Sequence, residues 1–391
     1  MNEKLFSILD SYYDDMVALR RHLHQNPELS FEEKETPALI EAFYKELGIE
    51  VKTGVGGNGV TAVIKGGKPG KTVALRADFD ALPIQDEKDV PYKSTIPNKM
   101  HACGHDGHTS TLLHLAKALH TIKDELHGTF VMIHQHAEEY APGGAIEMIE
   151  AGCLEGVDAV FGTHLWATEE TGKIQYRTGP FMAAADRFEI NIQGAGGHGA
   201  QPHKTKDALL AGSQLVTSLQ QVVARRVNPV ESAVVTVASF IAENAFNVIA
   251  DSAKLIGTAR TFAPEVRDLV EKEIGRVTEG TCLSADCTYE YNYFRGYPAV
   301  VNHAKETDYL VKQAAQIPGV TIEESEMQMG GEDFAYYLEH RPGTFFFTGA
   351  KPEGVDNPYP HHHPKFDINE KAMLIAAKTL GSAAINYHEE A

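Results

Sequence analysis

A chain of 391 residues, 43% hydrophobic and 23% charged, has room for two domains and the balance of an ordinary globular protein. Its formal net charge of −19 argues against a nucleic-acid or anionic-membrane surface. Its four cysteines, with no CxxC pair, exclude a disulfide scaffold and point to reduced thiols and a cytoplasmic setting.

The N-terminal stretch "MNEKLFSILDSYYDDMVALRRHLHQNPE" lacks the apolar segment of a signal peptide and reads as an amphipathic helix. No apolar run further on approaches the ~18 residues of a membrane span. Strand-like runs follow at "GVTAVIKG", "KTVALRADFD", "GTFVMIHQHAEE" and "VDAVFGTHLW". Helical patterns lie among them at "TSTLLHLAKALHTI" and "GGAIEMIEAG". This mixture predicts an α/β fold whose central sheet is mixed, mostly parallel and covered by helices on both faces.

The pattern changes near Asp186. "RFEINIQGAGGHGA" starts as an alternating strand and ends in a glycine-rich turn, and "KDALLAGSQLVTSLQQVVARR" is an amphipathic helix. "SAVVTVASFIA" and "AKLIGTARTFA" read as strands, "PEVRDLVEKEIGRVTEGTCL" as a helix opened by Pro264, and "CTYEYNYFRG" as a last strand. The order β-α-β-β-α-β is a split βαβ, ferredoxin-like unit. The α/β style returns after Val301, with helix "TDYLVKQAAQI", strand "GTFFFTGA" and helix "NEKAMLIAAKTLGSAAINYH". The expected organisation is a discontinuous domain, 1–185 and 298–391, interrupted by an inserted domain, 186–297.

Several α/β strands run out into acids or histidines: Asp78 and Asp80, Glu138 and Glu139, His164, and the run His361, His362, His363. Ligands of open α/β sheets bind outside the carboxyl ends of the strands, so these distant segments are expected to converge on one edge. The densest of them is "MHACGHDGH", Met100 to His108. By spacing alone it fits either a metal site or a solvated loop with Asp106 capping the next helix. His114 and His120, further along that helix, share no face with His108 and read as structural. Thiolate, imidazole and carboxylate all bind zinc-like divalent ions. Cys103 and His105 can reach one cluster. The adjacent glutamates invite a division of labour, one binding metal and its neighbour accepting a proton from water.

With these segments in place the chain resembles the di-metal aminoacylase and carboxypeptidase group of metallohydrolases. The branch in question holds bacterial N-acyl-amino-acid amidohydrolases, hippurate hydrolases and plant auxin-conjugate hydrolases. The resemblance runs in order through "RRHLHQNPELSFEE", "RADFDALP", "MHACGHDGH", "AEEYAPGGA", "GTHLW", "GAGGHGAQPH", "NVIADSAKLIGTARTF", "GGEDFA" and "HHHPKFDINE". It implies two divalent ions per subunit (Mn, Zn, Co or Ni) held by Cys103, His105, Glu139, His164 and His362. His361 or His363 is the alternative to His362. The resemblance further implies that Glu138 is the general acid/base, that Asp80 orients a ligand with Asp78 in support, and that His198 stabilises an oxyanion. Asn247, Arg260 and the "GGED" segment at Gly331 would hold the substrate or close the pocket. Tyr140 departs from the residue usual in relatives, which bears on acyl-group fit and leaves the metal chemistry intact.

The expected reaction is hydrolysis of an N-acyl-L-amino acid to a carboxylic acid and a free amino acid. Dipeptide hydrolysis and N-acetyl-diaminopimelate deacetylation are the enzymatic alternatives. The non-enzymatic alternative is a catalytically inactive binder on the same fold, whose expected signature is loss of the base or ligands; a metal store would not need a lone carboxylate base or a lid. An exposed edge of the inserted sheet invites pairing with a second copy. The expected assembly is a homodimer through the inserted domain, in which His198 of one subunit serves the other subunit's site. Neither nucleic acid nor membrane is an expected partner.

Overall fold

The computed structural model describes residues 1–389. Two helices, α1 (Asn2–Ser11) and α2 (Tyr13–Gln25), stand where the N-terminal pattern predicts one. The backbone leaves helical geometry at Tyr12 (φ −98°, ψ 3°). Each helix then buries its own stripe, Leu5 and Leu9 on α1, and Met16, Arg20 and Leu23 on α2. Next come α3 (Glu35–Glu46), β1 (Glu50–Val55), β2 (Gly59–Lys65), β3 (Lys68–Asp78) and α4 (His105–Thr121). They are followed by β4 (His127–Gln135), α5 (Gly144–Glu150), β5 (Ala159–Trp166), β6 (Lys173–Tyr176) and β7 (Gly179–Met182). The middle of the chain forms β8 (Ala184–Gln193), β9 (Gly197–His198), α6 (Ala208–Arg225), β10 (Ala233–Ile241), β11 (Val248–Ile249), β12 (Ser252–Thr261), α7 (Pro264–Ser284) and β13 (Thr288–Arg295). The last part holds β14 (Val300–Asn302), α8 (Ala304–Ala314), β15 (Thr321–Glu324), α9 (Phe334–His340), β16 (Gly343–Gly349) and α10 (Lys371–Asn386).

The chain divides into two compact units. The first is Met1–Phe181, Val300–Glu326 and Asp333–Ala391; the second is Met182–Ala299 with the short return Met327–Glu332. The first unit carries an eight-stranded sheet in the order β1-β2-β4-β3-β5-β16-β6-β15. Its middle strands β4, β3, β5 and β16 run parallel, while β2 and β6 join them antiparallel. These middle strands read as nearly continuous apolar runs because helices bury both their faces. Leu75, Phe130, Met132, Phe161 and Phe346 share one core with Leu112, Leu115 and Leu119 of α4 and Met373, Ala376 and Leu380 of α10. Four parallel strands therefore present their carboxyl ends at one edge, as the strand-end chemistry requires.

The second unit is an antiparallel four-stranded sheet, β10-β12-β8-β13, with α6 and α7 on one face. Alternation along β8 sends Phe188, Ile190 and Ile192 into the core with Leu215, Leu219, Val270 and Ile274. The other face is polar, with Glu189 bridged to Lys254 at 3.1 Å. The sequence prediction of an α/β fold with an inserted βαββαβ unit matches this architecture. Among the described residues, no helix is long and apolar enough to cross a membrane.

Candidate metal centre

Cys103 and His105 sit where the loop after β3 turns into α4. Gly104 between them takes φ +95° as the helix N-cap, a conformation that suits glycine, so the loop enters the helix abruptly. His105 is thus the first helical residue. Its Nδ1 donates to Asp80 Oδ1 at 3.0 Å, which turns Nε2 toward Glu138 and Glu139, 3.9 and 3.8 Å away. Cys103 Sγ lies 3.4 Å from His164 Nε2 and 3.7 Å from His361 Nδ1. Cys103, His105 and Glu139 each offer a ligand atom within 4.8 Å of the others, and so do Cys103, His164 and His361. Two adjoining clusters therefore share one sulfur.

Asp78, Asp80 and His108 around these groups are held by hydrogen bonds, whereas buried ring nitrogens of His101 and His136 lack such partners, and so do atoms of the cluster itself. Among the described residues, His105 Nε2 and Glu139 Oε1 are buried without a hydrogen-bond partner. Buried polar atoms are ordinarily paired, so two orphans facing each other mark a place for a cation. The charge balance agrees. Burial alone would lower the His105 imidazole, but the Asp78 and Asp80 carboxylates override it and push it up to about 10. Burial raises the Cys103 thiol well above its ordinary range, and Glu139 and Glu138 raise it further. The carboxylate contribution to each shift reports a negative field that a divalent cation would neutralise. The donor set of one thiolate, imidazoles and a carboxylate suits a zinc-like ion.

Outside the cluster, Asp80 has two tasks. Besides orienting His105, its Oδ2 accepts the Glu139 N–H at 2.9 Å and the Ser30 hydroxyl at 2.7 Å. Asp78, His105 and His108 also lie close together, but two of them are engaged with other partners. Asp78 Oδ1 takes the His108 Nδ1 proton at 2.6 Å, and its Oδ2 pairs with Arg76 at 2.6 Å. His108 Nε2 accepts the Leu165 N–H at 2.9 Å, so neither ring nitrogen is left for a metal. Asp106 is not the N-cap of α4, though its Oδ1 accepts the Gly107 N–H in the first turn at 2.9 Å. It is held by Arg20 at 2.9 Å and by His24 at 2.7 Å in a fully buried ion pair that anchors the start of the helix. His114 is buried and bonds the Ser110 carbonyl, in keeping with a structural role.

The three consecutive histidines point three ways. His361 Nε2 accepts the Ala167 N–H at 3.2 Å, so the neutral ring carries its proton on Nδ1, facing Cys103. His363 Nδ1 accepts the Lys365 N–H, and its ring stacks on Tyr359 at 4.4 Å. His362 has left-handed backbone (φ +65°) and brings Nε2 to 3.2 Å from Glu139 Oε2. Left-handed geometry in a non-glycine residue is uncommon and concentrates at functional sites. Ala137, directly before the glutamate pair, has it too (φ +50°).

The remaining predicted residues belong to the second unit. His198 of β9 pairs with Val248 of β11, and Gly199 donates to the Asn247 carbonyl at 2.8 Å, so His198 and Asn247 are neighbours. His198 Nδ1 accepts the Ala200 N–H at 3.1 Å, which leaves the exposed Nε2 as the donor. Arg260 lies at the far end of the sheet, in register with Ala185 on β8. Gly331 is beside it; a Cβ there would come within 2.8 Å of Ala185 Cβ. From Ala185 to Gln193, β8 spans roughly 27 Å at about 3.4 Å per residue. The structure thus groups His198 with Asn247 and Arg260 with Gly331, but does not unite the two groups.

The sequence reading missed several supports. Arg76 is almost fully buried and pairs with Asp333 at 2.7 Å as well as with Asp78. Gln135 ties the same group together, accepting from Arg76 and donating to Asp333. An arginine inside the apolar run "VALRAD" was the available signal, since a buried guanidinium demands carboxylates. Glu33 and Ser30 left no such signal, because their partners lie far along the chain.

Comparison with known proteins gives a consistent result. The model of peptidase family M20/M25/M40 matches residues 74–386. YhaA of Bacillus subtilis, provisionally named an amidohydrolase, is 63% identical, with 97% of this chain and 96% of that protein aligned. The N-acyl-L-amino acid amidohydrolase of Geobacillus stearothermophilus is 44% identical over 77% of this chain and 81% of its own. Among solved structures, the Bacillus subtilis YxeP protein, described as a dinuclear metal-binding peptidase, superposes with a TM-score of 0.83. It is 36% identical and covers 97% of this chain and 99% of its own.

Proposed function

Because the chain belongs to peptidase family M20/M25/M40, and so to the metal-dependent amidohydrolases and peptidases, we propose that it hydrolyses the amide bond of N-acyl-L-amino acids. The products are a carboxylic acid and a free amino acid. The observation that carries this reading is the pair of orphaned buried atoms, His105 Nε2 and Glu139 Oε1, beside Cys103 and the glutamate pair. In this reading Cys103, His105, Glu139, His164 and His362 hold two divalent ions, drawn from Mn, Zn, Co and Ni. His362 is preferred to His361 because its Nε2 already faces Glu139, whereas the proton on His361 Nδ1 blocks that nitrogen.

The ions supply Lewis acidity toward the acyl carbonyl and toward water. Glu138 takes a proton from the attacking water and returns it to the leaving amine nitrogen. Asp80 fixes the His105 tautomer so that Nε2 is the free ligand atom, and it anchors the Glu139 backbone. Arg260 offers positive charge to the substrate carboxylate, with Gly331 leaving space beside it. His198 donates from Nε2 to the developing oxyanion. The span of β8 keeps His198 and Asn247 away from Arg260. That supports a homodimer through 186–297, in which His198 reaches the site of the second copy.

The test is a turnover screen over N-acetyl, N-benzoyl and indoleacetyl amino acids and dipeptides, run with Glu138→Gln and Glu139→Gln. The expected result is amidase activity on the acyl amino acids that a strong chelator abolishes. Glu138→Gln should retain metal and lose kcat by about 10²–10⁴-fold, while Glu139→Gln should lose metal. Turnover of dipeptides alone, or full activity of verified metal-free protein, would overturn the proposal. Mixing His198→Ala with Glu138→Gln under subunit exchange should restore part of the activity. No restoration despite proven exchange refutes the shared site.

A further inference from the structure

The segment between α2 and α3 touches both arms of the metal cluster. The Glu28 carboxylate accepts the N–H groups of Lys34, Glu35 and Thr36 at 2.9, 3.0 and 2.8 Å, closing the segment into a rigid loop at the start of α3. Leu29 bridges to Ala81, and Ser30 donates to Asp80 Oδ2. Phe31 has left-handed backbone (φ +66°), which turns the chain back so that Glu33 points inward. The Glu33 side chain is buried, its residue only 1% exposed. One oxygen accepts the Ala137 N–H at 3.0 Å and the other accepts Asn58 Nδ2 at 3.0 Å.

Ala137 is the residue on which the glutamate pair turns. Its left-handed conformation is one that L residues resist, so something must hold it. Its carbonyl accepts the Gly144 N–H at 3.1 Å, and two residues on, the Glu139 N–H is held by Asp80. Its own N–H is held by Glu33, from a part of the chain more than a hundred residues earlier. We propose that Glu33 is a positioning residue for the reaction, whose hydrogen bond to Ala137 fixes the left-handed turn that aims Glu138 and Glu139 at the metal cluster. This rests on the assignment of Glu138 and Glu139 made above.

The task calls for an acceptor and not for a charge. Burial pushes the Glu33 carboxyl up to about 7 against the hydrogen bond from Asn58, so it is partly neutral at ordinary pH. A neutral carbonyl oxygen at the same place does the same work. Glutamine supplies that oxygen, and the Asn58 amide can turn its own oxygen toward the new NH₂ group. Aspartate keeps the charge, but it is one methylene too short to reach.

The test compares Glu33→Gln with Glu33→Asp, using Glu138→Gln as a reference, in protein reconstituted with Mn²⁺. The readouts are kcat and KM on an N-acetyl amino acid, and Mn²⁺ affinity by competition with a chromophoric chelator. Glu33→Asp should lose about 10–100-fold in kcat and in metal affinity, the usual effect of losing a group that orients ligands, with KM little changed. Glu33→Gln should stay within about threefold of the parent, in line with the modest net worth of one retained neutral hydrogen bond. Thermal melts of the metal-free variants confirm that both fold. Parental kcat and affinity in Glu33→Asp overturn the proposal, and so does a Glu33→Gln as damaged as Glu33→Asp. If Glu138→Gln proves fully active, the assignment of the base has failed instead. The metal affinity of Glu33→Asp then still decides the role of Glu33.

Discussion

Replacing Asp80 by asparagine tests the metal centre at its most connected point. The carboxylate has three donors around it: His105 Nδ1 at 3.0 Å on one oxygen, and Ser30 Oγ at 2.7 Å and the Glu139 N–H at 2.9 Å on the other. Asparagine has one acceptor oxygen, so one side must fail whichever way the amide turns. With its NH₂ toward His105, two donors meet, and the imidazole keeps only the Asp80 backbone carbonyl, 3.0 Å from Nδ1, to hold its proton there and Nε2 free for the proposed metal. With its NH₂ toward Glu139, the backbone that carries a second ligand loses its anchor. Either loss removes a hydrogen bond to a charged group, worth about 1.5–3 kcal/mol, or roughly 10–150-fold in affinity. Chelator competition should therefore show Asp80→Asn binding metal about 10–100-fold more weakly, with kcat reduced in the metal-saturated variant. Parental affinity in a folded Asp80→Asn protein would refute the reasoning, because no orientation of the amide preserves all three bonds.

Arg76→Ala should destabilise the first unit by about 3–5 kcal/mol, since it takes the guanidinium partner from the buried Asp78 and Asp333 carboxylates; a fall in melting temperature on the order of 10 °C is the expected reading. His134, fully buried between the Tyr44 hydroxyl and Thr109, is lowered to about 3 by burial. The unfolded chain thus binds a proton below about pH 6.5 that the folded chain refuses, and His134 costs about 1.4 kcal/mol of stability per pH unit as pH falls from 6.5 toward 3. His134→Gln should flatten the melting-temperature profile of metal-free protein over that window, and an unchanged slope would contradict the sign. Metal-loaded protein should resist alkylation at Cys103, and chelated protein should be modified faster, as peptide mass mapping would show; trapping of an acyl-thioester on Cys103 during turnover would make it a nucleophile instead.

What could be read from the sequence depended on how locally each feature was encoded. Strand ends carrying Asp80, Glu138 and His164 were readable because apolar runs of fixed period end abruptly in polar residues, and the sheet order then brings them to one edge. The inserted unit was readable for the same reason: alternation along β8 and the periodicity of α6 and α7 survive in the bare sequence. The three histidines were not separable, because identical side chains are distinguished only by the backbone, and it is φ +65° at His362 that turns that one toward Glu139. Asp106 looked like a cap because its position at a helix start is local information, while its partners, Arg20 and His24, lie more than eighty residues earlier. The separation of His198 from Arg260 likewise needs the pairing of β8 with β12, which spacing cannot supply.

The strand order also governs when during synthesis the first unit can be finished. β16 slots between β5 and β6, yet it is made after the entire second unit, so the main sheet has a gap in its middle until Gly349 has left the ribosome. α10, which covers β5 and binds α1 through the Lys378–Asp10 and Asn386–Asn2 pairs, comes later still. The second unit, contiguous apart from its six-residue return, has no such delay and can condense while the first still waits. His362 emerges at the very end, so a nascent chain holds Cys103, His105, Glu139 and His164 unprotected through most of translation. Completion of the proposed ligand set is thereby a late event, and a truncated product that stops short of β16 has neither a closed sheet nor His362.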